Sequence, residues 1–239
     1  MSYRNNKILC IIPARGGSKR LPGKNIKKIG GKPMIAHAIL AAKKSKYVDR
    51  VIVSTDDPAI IKVAKKYGAE VPFIRPAELA SDAALALPVL QHAVSYIERR
   101  DKFRPDLVIL IQPTSPLVKS SDIDGVIEKI IKTKTNSCFT VSEISQRPEW
   151  MYSLEGKKPK LFLSSDNLET RRSQDLPKLA IINGAVYVTK YNTLMKRGLI
   201  SDRKNTSIYV MPKERSVDID DYFDFKIAEA LIKYNDKKK

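Results

Sequence analysis

The strongest constraint on the fold is the way continuous apolar runs alternate with helically spaced ones. Ile8-Leu9-Cys10-Ile11-Ile12, Val51-Ile52-Val53-Ser54 and Leu107-Val108-Ile109-Leu110-Ile111 are unbroken, as strands covered on both faces are. Between them, Pro33 can open a helix through Lys44, because the first helical turn does not use the N–H that proline lacks. Ile123, Val126, Ile127, Ile130 and Ile131 fall at i, i+3, i+4, i+7 and i+8, one stripe of a helix. Phe223, Ile227, Leu231 and Tyr234 give the last helix its apolar stripe in the same way. Such alternation implies an α/β fold of βαβ units, a mostly parallel sheet with helices on both faces and these three runs as central strands. A chain of 239 residues suits one such domain, spanning 1–239.

The alternation breaks at about 142–182, where Pro148, Gly156, Pro159 and Pro177 interrupt short strand-like pieces. Trp150, Met151, Tyr152, Leu161, Phe162 and Leu163 on this excursion need cover, and a second subunit is one source of it. The tail from Asp236 is expected to fray. Cys10 and Cys138 lie in apolar runs without metal-ligand spacing, so they read as reduced core residues. The first apolar run is too short for a leader or a membrane span, and a cytoplasmic protein with no membrane contact is expected. The 44 basic and 26 acidic residues give a net charge of +18, which favours anionic partners. Because the lysine pairs are scattered and no aromatic-basic stripe accompanies them, nucleic acid is not an expected partner. A non-catalytic nucleotide- or RNA-binding protein is the alternative of a different class.

After the first run comes a loop, residues 13–25, holding Gly16, Gly17 and Gly23 with Arg15, Lys19, Arg20 and Lys24. Ligands of open α/β sheets bind at the carboxyl ends of strands. Glycines let backbone N–H groups come close to phosphate oxygens while the cations neutralise a polyphosphate. The spacing is neither G-x-G-x-x-G nor G-x-x-x-x-G-K-[ST]. Near the other end, Asp218 and Asp220 alternate with Val217 and Ile219, so a strand would put both carboxylates on one face. Asp221 suits the N-cap of the last helix, and Asp57 before Pro58 reads as another. His37 and His92 have core or interface spacing and are not catalytic candidates.

The stretches IIPARGGSKRLPGKN from Ile11, Gly31-Lys32-Pro33, VIVSTDD from Val51, GAEVPFIRPAELASD from Gly68, LIQPTSPL from Leu110, NGAVY from Asn183 and RSVDIDDYFD from Arg215 resemble, in order, the CMP-sialic acid synthetase (acylneuraminate cytidylyltransferase) family. The resemblance implies a Rossmann-like nucleotidyltransferase fold, a homodimer with exchanged dimerisation elements, and transfer of CMP from CTP to an acidic nine-carbon sugar. It also implies Mg²⁺, with Mn²⁺ as a substitute. Carried over by position, Arg15, Gly16, Ser18, Lys19, Lys24, Asn25 and Arg75 hold the nucleotide, and Lys24 and Arg15 stabilise charge at the transferring phosphate. Gln112 contacts the sugar near its reacting hydroxyl, with Thr114, Ser115, Arg172, Asn183 and Tyr187 around it. Asp218 and Asp220, with a triphosphate, make a hard-oxygen metal site. The departures are Trp150 after Arg147-Pro148-Glu149, Ala83-Ala84-Leu85-Ala86 in place of a Ser-rich stretch, and aliphatic Leu199-Ile200. These fall away from the phosphate and metal positions and bear on the sugar; Trp150 resembles relatives acting on legionaminic acid or another modified nine-carbon sugar. A CMP-KDO synthetase is the nearest alternative enzyme, disfavoured by Gln112-Pro113-Thr114-Ser115-Pro116.

Overall fold

A computed structural model describes residues 6–144, 146–156, 158–163 and 177–237. The chain runs β1 (Ile8–Pro13), β2 (Lys28–Ile29), β3 (Lys32–Pro33), α1 (Met34–Lys43), β4 (Arg50–Ser54), α2 (Pro58–Lys66), α3 (Ala86–Asp101), β5 (Leu107–Ile111) and α4 (Ser120–Thr133). It continues with β6 (Ser137–Glu143), β7 (Tyr152–Ser153), β8 (Lys160–Leu161), β9 (Ala180–Lys190), α5 (Tyr191–Met195), β10 (Thr206–Val210) and α6 (Tyr222–Lys237). The main sheet has the order β10-β6-β9-β5-β1-β4. β1 is parallel to β4 and β5, and β10 to β6, whereas β9 is antiparallel to both its neighbours. The sheet is thus mostly parallel with one reversed strand.

The continuous apolar runs do cover both faces. Ile8, Cys10 and Ile12 pack with α1, α2 and α4, while Leu9 and Ile11 pack with α3 and Leu194 of α5. Cys10 and Cys138 are buried free thiols, as expected, and burial pushes both upward in pKa. β4 is a correction: it lies at the edge of the sheet, not in the centre. Its apolar pattern persists because Glu70 covers that edge, its N–H donating to Val51 O at 2.8 Å and its carbonyl accepting from Val53 N at 2.9 Å.

The excursion joins β6 to antiparallel β9, so it leaves the sheet at the carboxyl end of β6 and returns at the same edge. It carries the small β7–β8 ladder, and Trp150, Met151, Tyr152, Leu154 and Phe162 are exposed on it.

The last helix needs a second correction. Its buried stripe is Phe225, Ala228 and Ile232 with Leu231 beside them, packed on Leu21, Ile29, Met34, Leu117 and Ile219. Phe223, Ile227 and Tyr234 of the expected stripe are exposed. Both faces of this helix carry apolar residues, so periodicity alone does not choose between them. The helix is described through Lys237. Replacing Phe225 with alanine should cost about 3–5 kcal/mol of stability, and Phe223→Ala no more than about 0.5 kcal/mol; urea denaturation of the two variants checks the direction of the helix face.

Candidate active site

Three segments remote in sequence meet beyond the carboxyl ends of β1 and β5. The first is the glycine- and cation-rich loop after β1. Leu21 anchors it in the cluster beneath α6, and the Asn25 side-chain amide closes it by donating to Arg15 O at 2.9 Å. The second is the turn after β5, whose Gln112 N–H donates to Ala185 O of β9 at 3.1 Å. The third is the segment before α6. Ile219 is buried there, and its N–H donates to Thr114 O at 2.9 Å.

Between them lies a cavity of about 390 Å³. Arg15, Ser18, Lys19, Arg20, Lys24 and Asn25 line one side, Gln112 and Thr114 another, and Asp220 a third. Asn25 Oδ1 is buried without a hydrogen-bond partner among the described residues, an acceptor that a ligand donor would satisfy.

The residues around Asp218 and Asp220 form no strand, which corrects the sequence expectation, yet the alternation survives. Ile219 points into the core and both carboxylates remain on the outer side. Lys24 Nζ donates to Ile219 O at 2.9 Å and lies 3.6 Å from Asp220 Oδ1, and Arg20 Nη1 is 3.0 Å from Asp220 Oδ2. The pKa of Asp218 is raised, first by desolvation and then by the charges of Asp220 and Asp224, against a lowering hydrogen bond from Thr114. Gly184 has φ 74°, and a Cβ on it would sit 3.6 Å from Asp218 Oδ2. This glycine therefore serves the left-handed backbone, since a Cβ there would make only an ordinary contact with the carboxylate. The Tyr187 hydroxyl is raised in pKa by burial and then by the charge of Asp218.

Asp221 caps α6 as expected: its carboxylate accepts from Phe223 N at 2.8 Å and Asp224 N at 3.0 Å. Asp57 caps α2 through Ala59 N at 2.7 Å and Ile60 N at 3.1 Å. His37 Nε2 lies 2.9 Å from Ile29 O, and His92 packs edge-on against Phe73.

Several sequence candidates stand outside the cavity wall. Gly16 directs its N–H to Asp56 Oδ1 at 3.1 Å, and any Cβ there would strike Asp57; this glycine serves close packing of the loop. Arg75 is 5% exposed. Its guanidinium bonds Ser54 Oγ at 3.1 Å and the Ser54 carbonyl, and burial brings its pKa down to about 10. It thereby ties the end of β4 to its own segment, and the charge of Asp56 favours it while that of Arg15 opposes it. The Ser115 hydroxyl is buried without a described partner. Asn183 is buried and engaged on both ends, accepting from Thr140 Oγ1 at 2.6 Å and donating to Ser216 Oγ at 2.9 Å. Arg172 lies outside the described residues.

Two contacts escaped sequence reasoning. Asp82 pairs with Lys19 at 2.5 Å and with Arg15. Arg215 forms a forked pair with fully buried Asp122, at 3.0 Å from Nε and 2.6 Å from Nη2. The only prior signals were the positions of Asp82 and Arg215 inside recognisable motifs; their partners are 93 residues away for Arg215 and more than 60 for Asp82.

The profile of the cytidylyltransferase family matches residues 9–213. The chain is 37% identical over 229 residues to post-translational flagellin modification protein B of Campylobacter coli, covering 95% of this chain and 96% of that one. It is 35% identical over 233 residues to CMP-N,N'-diacetyllegionaminic acid synthase of Legionella pneumophila, covering 96% and 97%. The solved structure of CMP:2-keto-3-deoxy-manno-octonic acid synthetase complexed with CTP superposes with a TM-score of 0.71 at 20% identity, over 96% of this chain and 99% of that one, and shares the fold. No helix among the described residues is long and apolar enough to cross a membrane.

The raised pKa of Asp218 fixes the sign of a stability effect. Because the folded protein binds this proton more tightly than the unfolded chain does, the stability it contributes is present at low pH and lost as pH rises through the raised folded value. At neutral pH the charged carboxylate opposes folding, so Asp218→Asn should raise the thermal midpoint at pH 7 and change it less at pH 4; differential scanning calorimetry at the two pH values checks this.

Proposed function

The chain belongs to the cytidylyltransferase family, and from that premise we propose that it transfers CMP from CTP to the anomeric hydroxyl of a sialic-acid-like nonulosonic acid, releasing pyrophosphate. The observation that carries this reading is the cavity in which four loop cations face Gln112 on one side and Asp220 on the other, with Asp218 near enough to Asp220 to feel its charge. In the transfer, a bond forms between the sugar oxygen and the α-phosphorus while the bond to the β-phosphate breaks. Negative charge grows on the phosphoryl oxygens and on the leaving pyrophosphate. Lys24, held at Ile219 O, and Arg15 are fixed cations for that charge, and preorganised charge is worth most in the transition state. Gln112 can orient the attacking hydroxyl but, being uncharged, cannot remove its proton.

Asp218 and Asp220 fit a divalent cation such as Mg²⁺ or Mn²⁺, because the charge of Asp220 helps raise the pKa of Asp218 and a shared cation would relieve it. When bound, such a cation neutralises phosphate oxygens and lowers the pKa of an attached hydroxyl. The names of the similar proteins favour a modified nine-carbon acid such as legionaminic acid as acceptor. The buried, unpaired thiols Cys10 and Cys138 suit the cytoplasm, where disulfides are rare.

Pyrophosphate release measured with CTP, UTP, ATP and GTP against N-acetylneuraminic acid, legionaminic acid and KDO tests the reading. Release is expected with CTP and a nine-carbon acid, and comparable release with UTP would overturn it. In the same assay Asp220→Asn should lower turnover by about 10²–10³, whereas Asp221→Asn, which retains the capping oxygen, should leave it nearly unchanged.

The exposed apolar side chains of the excursion also support a homodimer, since a cluster of this kind is ordinarily covered. Light scattering at micromolar concentration should give twice the chain mass; a monomer would leave the excursion without that role.

A further inference from the structure

Every cation of the loop after β1 is already held by an acid. Arg20 and Lys24 share Asp220, at 3.0 and 3.6 Å. Arg15 and Lys19 share Asp82, the latter at 2.5 Å. Asp220 belongs to the acidic pair described above. Asp82 has no such second role: it sits on the turn that follows Ala77–Leu79 and precedes α3, outside the cavity wall. Its hydrogen bonds come from Lys19 and Arg15, and those two partners, Lys19 foremost, hold its carboxyl below the ordinary range.

The partnership is built to be given up. Lys19 is 80% exposed and Asp82 44%, and exposed ion pairs hold weakly because water solvates both separated charges well. A triphosphate offers several anionic oxygens to the same two cations, where Asp82 offers one carboxylate. Arg15 also opposes the charge of buried Arg75, which an anionic ligand beside it would offset.

We propose that Asp82 is an internal competitor of the nucleotide's phosphates. It holds Arg15 and Lys19 in the substrate-free protein and is displaced when the phosphate chain binds, so it sets nucleotide affinity. The inference rests on the phosphate-binding role of this loop given under the proposed function, and deepens it by naming the residue against which phosphate binding is measured.

Calorimetric titration of CTP, inorganic tripolyphosphate and cytidine into the metal-free protein in EDTA tests the idea. Asp82→Asn should bind CTP and tripolyphosphate about 3- to 10-fold more tightly than the parent protein, the range that two exposed ion pairs supply. Cytidine, without phosphate, should bind the two proteins equally. Asp82→Ser, which removes the carboxyl by a different route, should give the same gain, and thermal midpoints near that of the parent establish that both variants fold. If the parent binds CTP and both variants bind it no more tightly, Asp82 is a support of the loop and the proposal fails. A gain for cytidine equal to that for CTP also overturns it, since the effect would not lie in the phosphates. If the parent itself binds neither CTP nor tripolyphosphate, it is the phosphate-loop reading that fails.

Discussion

The forked ion pair between Arg215 and Asp122 fixes the position of the acidic segment on which the cavity depends. Asp122 is fully buried in the first turn of α4, where helix dipole and open backbone N–H groups favour a carboxylate. It also accepts from Lys119 N at 2.9 Å. With two bonds from Arg215 and one from the backbone, its lone pairs are well occupied. Removing one partner of such a pair leaves an uncompensated buried charge, which costs about 3–5 kcal/mol. From this clamp the chain runs directly to Ile219, whose side chain enters the core and whose backbone bonds both Thr114 and Lys24. A segment near the end of the chain thereby closes onto loops after the first and fifth strands.

Electrostatic tension remains in the assembled site. Arg75 is buried with its pKa depressed, and Asp218 is desolvated beside another carboxylate. Both arrangements oppose folding of the free protein, and both are relieved by complementary charge. The four loop cations find theirs within the chain itself, in ion pairs to Asp82 and Asp220. The clusters beneath the site, from Leu21 to Ile232, are what hold the arrangement against its own repulsion.

The reversed strand β9 braces the site from outside the cavity wall, its Ala185 carbonyl accepting from Gln112 N. It runs antiparallel between β5 and β6. Asn183 ties β9 to Thr140 of β6 and to Ser216, so it joins the sheet to the acidic segment. Its amide has no need of a ligand to be satisfied. The same reversal sends the excursion out from this edge.

The sequence by itself determined the α/β class, because unbroken apolar runs are stable only where both faces are covered. It determined the cation-rich loop and the caps at Asp57 and Asp221, because these are set by residues within a few positions of one another. It marked Asp218 and Asp220 through their alternation with Val217 and Ile219, although no ladder forms there. Tertiary structure decided the remainder. β4 became an edge strand because Glu70 could cover it. Of two apolar faces on α6, the one bearing Phe225 turned inward because Ile29, Met34 and Leu117 lie there. Arg75, assigned by resemblance to the nucleotide, is buried instead because Ser54 receives its guanidinium. Which acid meets which cation was likewise undetermined locally: Lys24 reaches Ile219 across 195 positions and Arg20 reaches Asp220 across 200. Such pairings depend on where the sheet delivers each loop, and that is a property of the packed chain alone.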